Sequence, residues 1–142
     1  MKNSILITLF FVISLTLSCK ENKVVDQNVA KSEQQIIINK KLVAIDFKTN
    51  IENKSVQLID VRTPKEFKEG HIKNAKIINF FDADFLTQMN KLKKDKPLYI
   101  YCRSGNRSGK AAAKLKELGF KEVYDLQGGI LDWGKNNFEI VK

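Results

Sequence analysis

A cysteine followed by six polar or small residues is the stretch of this chain best suited to nucleophilic chemistry. It reads Cys102-Arg103-Ser104-Gly105-Asn106-Arg107-Ser108 and lies between an apolar run, 97–101, and a helix-forming run, 110–118. This order predicts a buried strand, a tight loop and a helix that begins after the loop. The first turn of a helix offers unpaired N–H groups and a partial positive charge, so anions bind there. The stretch therefore predicts a thiolate at Cys102 and a reaction partner that carries negative charge.

Two further features of the loop support this interpretation. Gly105 and Gly109 allow the backbone to curl so that successive amides point inward and form an anion-binding nest. Arg103 and Arg107 add full positive charges. Because the loop supplies more donors than one sulfur atom uses, it favours a second anionic group. This group is either an oxyanion substrate or a terminal sulfur carried on the cysteine.

The N-terminal segment has the pattern of an export signal. Lys2 gives it a positive start, and the apolar run from Ile5 to Leu17 is shorter than the roughly 20 residues needed to span a bilayer. The run ends in Ser18-Cys19, and a small residue before a cysteine resembles the bacterial lipoprotein box, in which the cysteine is lipidated and becomes the mature N-terminus. We expect lipidation of Cys19; a plain cleaved signal and an uncleaved anchor are the alternatives.

This interpretation divides the chain into a signal peptide, 1–18, a lipidated N-terminus with a flexible linker, 19–38, and a folded domain, 39–142. It predicts an exported protein that is lipid-anchored in the bacterial cell envelope and faces the periplasm or the cell surface. If Cys19 is acylated or lost with the signal, Cys102 is the only thiol of the mature domain. No internal disulfide can then form.

Length and composition suit a single globular domain, with 142 residues, 43% apolar and 29% charged. The net charge of +9 is large, but the lysines are scattered and no basic run is interleaved with aromatic residues. We therefore expect a solvated surface with a weak preference for anionic partners, and no nucleic-acid partner. No metal-ligand spacing, phosphate loop or dinucleotide fingerprint is present, so we expect neither a metal nor an organic cofactor.

Short apolar runs alternate with helical patterns along the folded part of the chain. Strands are predicted at 56–59 before Asp60, at 75–79, 97–101 and 122–124, with 36–38 or 42–43 as the first strand. Helices are predicted at 45–51, from Thr63 to Gly70, at 82–92 and 110–118, and from Gln127 onward. The capping-box residues of the second helix are Thr63, Pro64 and Glu66. The residues of the third helix expected to face inward are Phe85, Leu86 and Met89.

This alternation predicts an α/β fold with a mostly parallel central sheet of about five strands and helices on both faces. Functional sites of such sheets lie beyond the carboxyl ends of the strands, and both Asp60 and Cys102 follow predicted strands. Two interpretations of Asp60 and Arg62 stay open: they form an ion pair beside the loop, or they merely end a strand. We expect a supporting role for this pair.

Three motifs, in order, resemble those of rhodanese-like domains. The first contains Leu58-Ile59-Asp60-Val61-Arg62-Thr63-Pro64, Glu66-Phe67 and Gly70-His71-Ile72, the second is the cysteine loop, and the third is Leu126-x-Gly128-Gly129-Ile130-x-x-Trp133. The resemblance implies sulfurtransferase activity. In that chemistry a cysteine takes the outer sulfur of a donor such as thiosulfate and becomes a persulfide. It then passes the sulfur to a thiophilic acceptor such as cyanide or a thiol.

Applied to this sequence, the resemblance makes Cys102 the nucleophile and persulfide carrier. Arg103 and Arg107 match positions that hold the anionic donor. The backbone N–H groups expected to cradle the sulfur are those of Ser104, Gly105, Asn106, Arg107 and Ser108. The implied partners are a small anionic donor and a cyanide or thiol acceptor, which includes a thiol on a partner protein. The membrane is contacted through the lipid anchor only.

Other functions stay open beside this one. Related phosphatases and arsenate reductases have loops that resemble C-x5-R, whereas here Arg107 comes one residue early and position 108 is serine. A phosphate or arsenate needs a wider bowl than one sulfur atom, so the shorter loop favours sulfur. The chain could instead be a non-catalytic persulfide carrier or binding module. Loss of the cysteine would favour this function, and Cys102 is present. A cysteine protease needs a histidine base, and His71, the only histidine, is more simply a structural turn residue.

Overall fold

The computed structural model describes residues 38–52 and 54–142. The predicted signal peptide, the lipidation of Cys19 and nearly all of the predicted linker lie outside these residues and stay predictions. Within the described part of the chain, no helix combines the length and the apolar character needed to cross a bilayer.

The described residues form a five-stranded parallel sheet in the order β1-β5-β4-β2-β3. The strands are β1 (Ile38–Leu42), β2 (Gln57–Asp60), β3 (Lys76–Ile77), β4 (Leu98–Tyr101) and β5 (Glu122–Leu126). The helices are α1 (Ala44–Ile51), α2 (Pro64–Glu69), α3 (Phe85–Met89), α4 (Asn106–Glu117) and α5 (Gly129–Lys135). The predicted α/β architecture is confirmed.

Alternate residues of the central strand β4 enter two hydrophobic cores, one on each face of the sheet. Leu98 and Ile100 belong to the first core, and Tyr99 and Tyr101 belong to the second. Helices α3 and α4 contribute to the first core, and α1 and α5 contribute to the second. Because β4 is buried on both faces, its sequence is apolar at every position, as is typical of central strands in parallel sheets.

The first strand lies between its two predicted positions. Residues 38–42 pair with residues 122–126 of β5, and Leu42 is the one buried residue of the strand. Since β1 is an edge strand that exposes most of its side chains, its formation does not require an apolar sequence. The hydrophobic pattern therefore could not locate it.

Two helices differ from their predicted bounds. α4 begins at Asn106 rather than residue 110, because Gly105 takes a left-handed φ of +89° and turns the chain directly into the helix. α3 is shorter than predicted, and the inward position of Leu86 is wrong, since this residue is 40% exposed. Phe85 and Met89 lie one turn apart and share the buried face, whereas the residue after Phe85 points about 100° away.

Candidate active site

Cys102 directly follows β4, at the carboxyl edge of the sheet. Its Sγ accepts a hydrogen bond from the Gly105 backbone N–H at 3.1 Å and another from the Ser108 hydroxyl at 3.4 Å. Both donors lie at the start of α4, where the helix dipole also favours negative charge. The chain therefore folds a backbone amide, a hydroxyl and a helix N-terminus around one sulfur atom. The role of Cys102 as an anionic nucleophile stays a prediction.

The residues of the loop divide into buried and exposed groups. Cys102 is only 1% exposed and Ser108 is fully buried, so the polar neighbours of the cysteine do not keep it out of the core. Its burial follows from its position, since it continues β4 beneath the first turn of α4. The side chains of Arg103, Ser104 and Asn106 are exposed, and they form no side-chain hydrogen bond with another described residue.

Arg107 is already paired with a carboxylate in this structure. Its NH1 and NH2 donate to Glu66 Oε2 and Oε1 at 2.7 and 2.5 Å, and its guanidinium lies over the Phe81 ring at 5.6 Å. The bidentate contact lowers the pKa of Glu66 to about 2 and raises the pKa of Arg107. The predicted role of Arg107 as a donor ligand stays a prediction, since the observed partner of its guanidinium is Glu66.

Glu66 is held in place by the predicted capping box of α2, which is confirmed. The Thr63 hydroxyl accepts a hydrogen bond from the Glu66 N–H at 3.3 Å, and Glu66 Oε2 accepts one from the Thr63 N–H at 2.9 Å. The same carboxylate therefore caps α2 and binds Arg107 of α4. This links the helix that follows β2 to the helix that follows the cysteine.

Asp60 and Arg62 form the predicted ion pair. Arg62 NH2 donates to Asp60 Oδ2 at 2.6 Å and to the Gly70 carbonyl at 2.6 Å, and both side chains are buried. Burial acts to lower the pKa of Arg62, but the hydrogen bonds and charge of Asp60 outweigh it and leave the pKa raised. Because Asp60 pairs in register with Tyr101, the residue before Cys102, the ion pair lies beside the base of the loop.

Tyr101 and His71 complete the structural support on this side. The Tyr101 hydroxyl accepts a hydrogen bond from the Ile72 N–H at 3.1 Å, and burial followed by the charge of Asp60 raises the pKa of this hydroxyl. The His71 ring stacks on Phe67 with 3.8 Å between centroids, and its Nδ1 lies 3.2 Å from the Phe67 carbonyl. These contacts agree with a structural role for His71.

The start of α5 is fastened to the cysteine loop by backbone hydrogen bonds. The Ile130 N–H donates to the Cys102 carbonyl at 2.9 Å, and the Leu131 N–H donates to the Arg103 carbonyl at 3.2 Å. Gly129 makes this approach feasible, since a Cβ on it would lie 2.5 Å from the Cys102 oxygen and its φ is +63°. The Gly128-Gly129 pair of the third motif thus allows the start of α5 to pack against the cysteine loop.

Sequence reasoning missed Asp125 of β5, whose carboxylate lies beside Gly109 in the first turn of α4. It is 1% exposed, and in the described part of the chain neither of its carboxylate oxygens has a hydrogen-bond partner. Burial raises its pKa to about 6, against the opposing effects of the Ser108 hydroxyl and Lys41. The available signal was an aspartate inside the otherwise apolar run Val123-Tyr124-Asp125-Leu126.

In the described part of the chain, neither a cluster of metal ligands nor a separate cavity adds to the cysteine site. Among the described residues, no group of three His, Cys, Asp or Glu side chains is placed to hold a metal ion. A cavity of about 620 Å³ is lined by Ile51, Val56, Leu58 and Trp133 among others, and by no residue of the cysteine loop. The loop is therefore the part of the described chain where nucleophile and anion donors meet.

A family model described as the rhodanese-like domain matches residues 43–136, which is more than half of the chain. The chain belongs to the rhodanese-like family.

Curated relatives include proteins of several kinds. An uncharacterized protein, YqhL, of Bacillus subtilis is 43% identical over 81 residues, which cover 57% of this chain and 63% of that protein. The thiosulfate sulfurtransferase GlpE of Shewanella oneidensis is 40% identical over 61% of this chain and 83% of its own length. A tRNA uridine(34) hydroxylase of Pelagibacter ubique is 42% identical, but the match spans only 29% of that enzyme.

Solved structures share the fold. A rhodanese-related protein from Thermoplasma volcanium superposes with a TM-score of 0.64 at 30% identity, covering 72% of this chain and 97% of that one. A rhodanese-like domain protein from Staphylococcus aureus gives a TM-score of 0.61 at 33% identity, covering 72% and 99%.

Gly129→Ala tests the fastening of α5 to the loop. We expect the variant to lose about 3 kcal/mol or more of unfolding free energy, because the new Cβ combines left-handed strain with a clash against backbone atoms. The matched control is Gly119→Ala, since Gly119 has φ +84° but no atom within 4 Å of its added Cβ. Denaturant unfolding should give the control a loss of about 1–2 kcal/mol. Equal losses would contradict the close approach at Gly129.

Asp125→Asn tests the burial of this carboxyl through the pH dependence of stability. A pKa raised from 3.8 to about 6 means that the folded protein resists ionisation of Asp125. The wild type therefore loses stability as the pH rises from about 4 to 6, whereas the neutral variant does not. We expect the variant to be more stable by about 3 kcal/mol above pH 6, with the difference disappearing below pH 4, in unfolding measured across this range.

The exposed Asp95 provides the control for this titration. Asp95→Asn should change the unfolding free energy by no more than about 0.5 kcal/mol at any pH. A flat difference between wild type and Asp125→Asn across the range would show that the carboxyl is not desolvated.

Proposed function

We propose that this protein is a sulfurtransferase that moves a sulfane sulfur through a persulfide on Cys102. The donor is a small anion such as thiosulfate, and the acceptor is a thiophile such as cyanide or a thiol, including a thiol on a partner protein. The observation that carries the proposal is the pair of hydrogen bonds to Cys102 Sγ from the Gly105 amide and the Ser108 hydroxyl at a helix N-terminus. Membership of the rhodanese-like family supports it.

The chemistry is a double displacement in which atoms and electrons balance. The Cys102 thiolate attacks the outer sulfur of thiosulfate, the S–S bond of the donor breaks, and sulfite leaves with the bonding electron pair. In the second step cyanide or a thiolate attacks the terminal sulfur of the persulfide. The S–S bond of the Cys102 persulfide then breaks. Thiocyanate or the persulfide of the acceptor thiol departs, and the Cys102 thiolate is restored.

The arrangement of donors fits a chain of two sulfur atoms. Both observed donors to Sγ stabilise negative charge on the cysteine, and charge-assisted hydrogen bonds of this kind contribute about 1.5–3 kcal/mol each. The amides of Asn106 and Arg107 belong to the first turn of α4, where backbone N–H groups have no partner within the helix. They are available to a terminal sulfur or to the sulfonate end of the donor.

The exposed Arg103 is the cation best placed to meet an anionic donor. Its side chain makes no hydrogen bond with another described residue, whereas the Arg107 guanidinium is held by Glu66. We therefore assign donor capture chiefly to Arg103, with Arg107 contributing its charge and the position of its backbone amide.

We further propose that the protein works outside the cytoplasm. A signal peptide over 1–18 and lipidation of Cys19 would tether the domain to the cell envelope through the linker. In an oxidising compartment a lone thiol at Cys102 forms no internal disulfide, so it stays available for sulfur transfer.

Mass spectrometry of the intact protein tests the persulfide. After incubation with thiosulfate we expect a gain of one sulfur atom that disappears on adding cyanide and is absent in Cys102→Ser, since Sγ is the acceptor. Turnover of an aryl phosphate or of arsenate without a sulfur adduct would overturn the proposal in favour of oxyanion chemistry. Neither adduct nor turnover would favour the non-catalytic carrier or binding module.

Arg103→Ala tests the capture of an anionic donor. We expect KM for thiosulfate to rise about tenfold, because the variant loses a charge-assisted contact, while unfolding stays near wild type because the side chain is exposed. Lys110→Ala is the matched control, since it removes the same charge from an exposed position of α4 outside the loop. An equal rise of KM in both variants would mean that overall surface charge, rather than Arg103, attracts the donor.

A further inference from the structure

The two arginines of the cysteine loop differ in what they contact. Arg103 is exposed, and its side chain has no hydrogen-bond partner among the described residues. Arg107 donates from NH1 and NH2 to Glu66 Oε2 and Oε1 at 2.7 and 2.5 Å, and only 17% of its side chain is exposed. The second cation of the loop is therefore paired with a carboxylate of the protein itself.

Several contacts hold the Glu66 carboxylate in this position. Its Oε2 also accepts hydrogen bonds from the Thr63 N–H and the Thr63 hydroxyl, each at 2.9 Å. The contact with Arg107 and the bonds from Thr63 lower the pKa of Glu66 to about 2, so the carboxylate stays ionised at neutral pH. The Arg107 guanidinium also lies over the Phe81 ring at 5.6 Å. Arg107 would therefore have to leave two partners in order to bind a ligand.

The charges beside the cysteine are consequently close to balanced. Asp60 offsets Arg62 at the base of the loop, and Glu66 offsets Arg107 in α4. Of these arginines and the exposed Arg103, only the last has no carboxylate partner among the described residues. The site thus offers one free cation, whereas an anion with two negative charges gains most from two.

We propose that Glu66 is a specificity-determining residue that disfavours, through Arg107, sulfur donors with two negative charges. Because it binds both terminal nitrogens of the guanidinium, it withholds the second cation of the loop from the donor. The favoured class is a sulfane sulfur on a singly charged organic group, such as a thiosulfonate, over the doubly charged thiosulfate. This inference rests on the proposed sulfur transfer and deepens it by assigning the charge of the donor.

The transfer step with such a donor balances in the same way as with thiosulfate. The Cys102 thiolate attacks the outer sulfur of the thiosulfonate, and the S–S bond of the donor breaks. A sulfinate then leaves with the bonding electron pair, and the persulfide remains on Cys102.

The exposed Phe81 ring agrees with an organic donor. It is 66% exposed although it lies beside Arg107, and its position is fixed because its N–H donates to Asn79 Oδ1 at 3.2 Å. The Asn79 side chain is held in turn by Asp82 Oδ1 at 2.6 Å. An apolar group on the donor can bury surface against this ring, which thiosulfate cannot do.

Glu66→Gln in the full chain tests the charge selection. Glutamine also completes a capping box, so α2 keeps its cap, but the side chain is neutral and its single oxygen cannot bind both guanidinium nitrogens. We expect kcat/KM for thiosulfate to rise about tenfold, and kcat/KM for methanethiosulfonate to change by less than about threefold. A merely structural role of Glu66 would not change the ratio of the two values. An unchanged ratio would therefore overturn the proposal.

Two comparisons show whether Arg107 carries the effect. Glu69→Gln is the matched control, since it removes the same charge from an exposed position of α2. An equal gain in both variants would mean that overall charge sets the preference. In the Arg107→Ala background, the gain from Glu66→Gln should fall to less than half on a logarithmic scale. The same gain in both backgrounds would show direct repulsion by the carboxylate and overturn the role of Arg107.

Protection of Cys102 from iodoacetamide tests the selection without sulfur transfer. Inorganic sulfate and methanesulfonate carry two charges and one charge, and mass spectrometry of the Cys102 peptide reports alkylation of this cysteine apart from Cys19. In the wild type the two anions should protect at concentrations within about threefold of each other. Glu66→Gln should let sulfate protect at about tenfold lower concentration. Sulfate that protects the wild type about tenfold better than methanesulfonate would contradict the proposal without any variant.

Persulfide formation, measured in parallel, keeps the two proposals distinct. A wild type that takes no sulfur from either donor but shows the expected change in protection would contradict sulfur transfer and support the charge selection. A wild type that forms the persulfide while Glu66→Gln changes neither the donor ratio nor the protection would contradict the charge selection alone.

Discussion

The hydrogen bond from the Gly105 amide to the Cys102 sulfur is the contact on which the rest of the site depends. It requires the chain to reverse direction within three residues of β4 and to start a helix immediately, which the left-handed Gly105 achieves. A Cβ on Gly105 would lie 3.3 Å from the Gly128 nitrogen. The close approach of the start of α5 therefore also favours glycine at this position. The cysteine loop and the Gly128-Gly129 motif therefore meet at Gly105.

Ion pairs hold the surroundings of this contact in position. Arg62 donates hydrogen bonds both to Asp60 at the end of β2 and to the Gly70 carbonyl, so it connects these two segments. Arg107 of α4 donates to Glu66, which belongs to the capping box of α2. Because each of the two guanidinium groups is paired with a carboxylate, these arginines mainly hold neighbouring segments together. Less of their charge is available to a ligand. Asp125 is the exception among these acidic groups, because it is buried and no cation of the described residues forms a salt bridge with it.

Patterns that follow from local chemistry were readable in the sequence, and they included most of the fold. The apolar central strand β4, the capping box at Thr63 and the turn before α4 each follow from residues adjacent in the chain. The cysteine, its loop and the ion pair of Asp60 with Arg62 were predicted for the same reason.

Features that depend on distant parts of the chain were not readable. The sequence could not show that Glu66 would bind Arg107, that edge strand β1 would form from mostly exposed residues, or that Gly109 of α4 would lie beside the Asp125 carboxylate. Each of these results from packing of segments far apart in sequence. The burial of Cys102 has a local cause, because this residue continues β4 beneath the adjacent α4, although its polar neighbours in sequence suggest an exposed position.

A crystal structure of the protein after exposure to thiosulfate tests the central claim most directly. We predict one additional sulfur atom bonded to Cys102 Sγ, lying inside the loop and within hydrogen-bond distance of backbone amides in the first turn of α4. An unmodified Cys102 in crystals that have taken up thiosulfate elsewhere, or an added sulfur that points away from these amides, would contradict the assignment of the loop as a persulfide cradle.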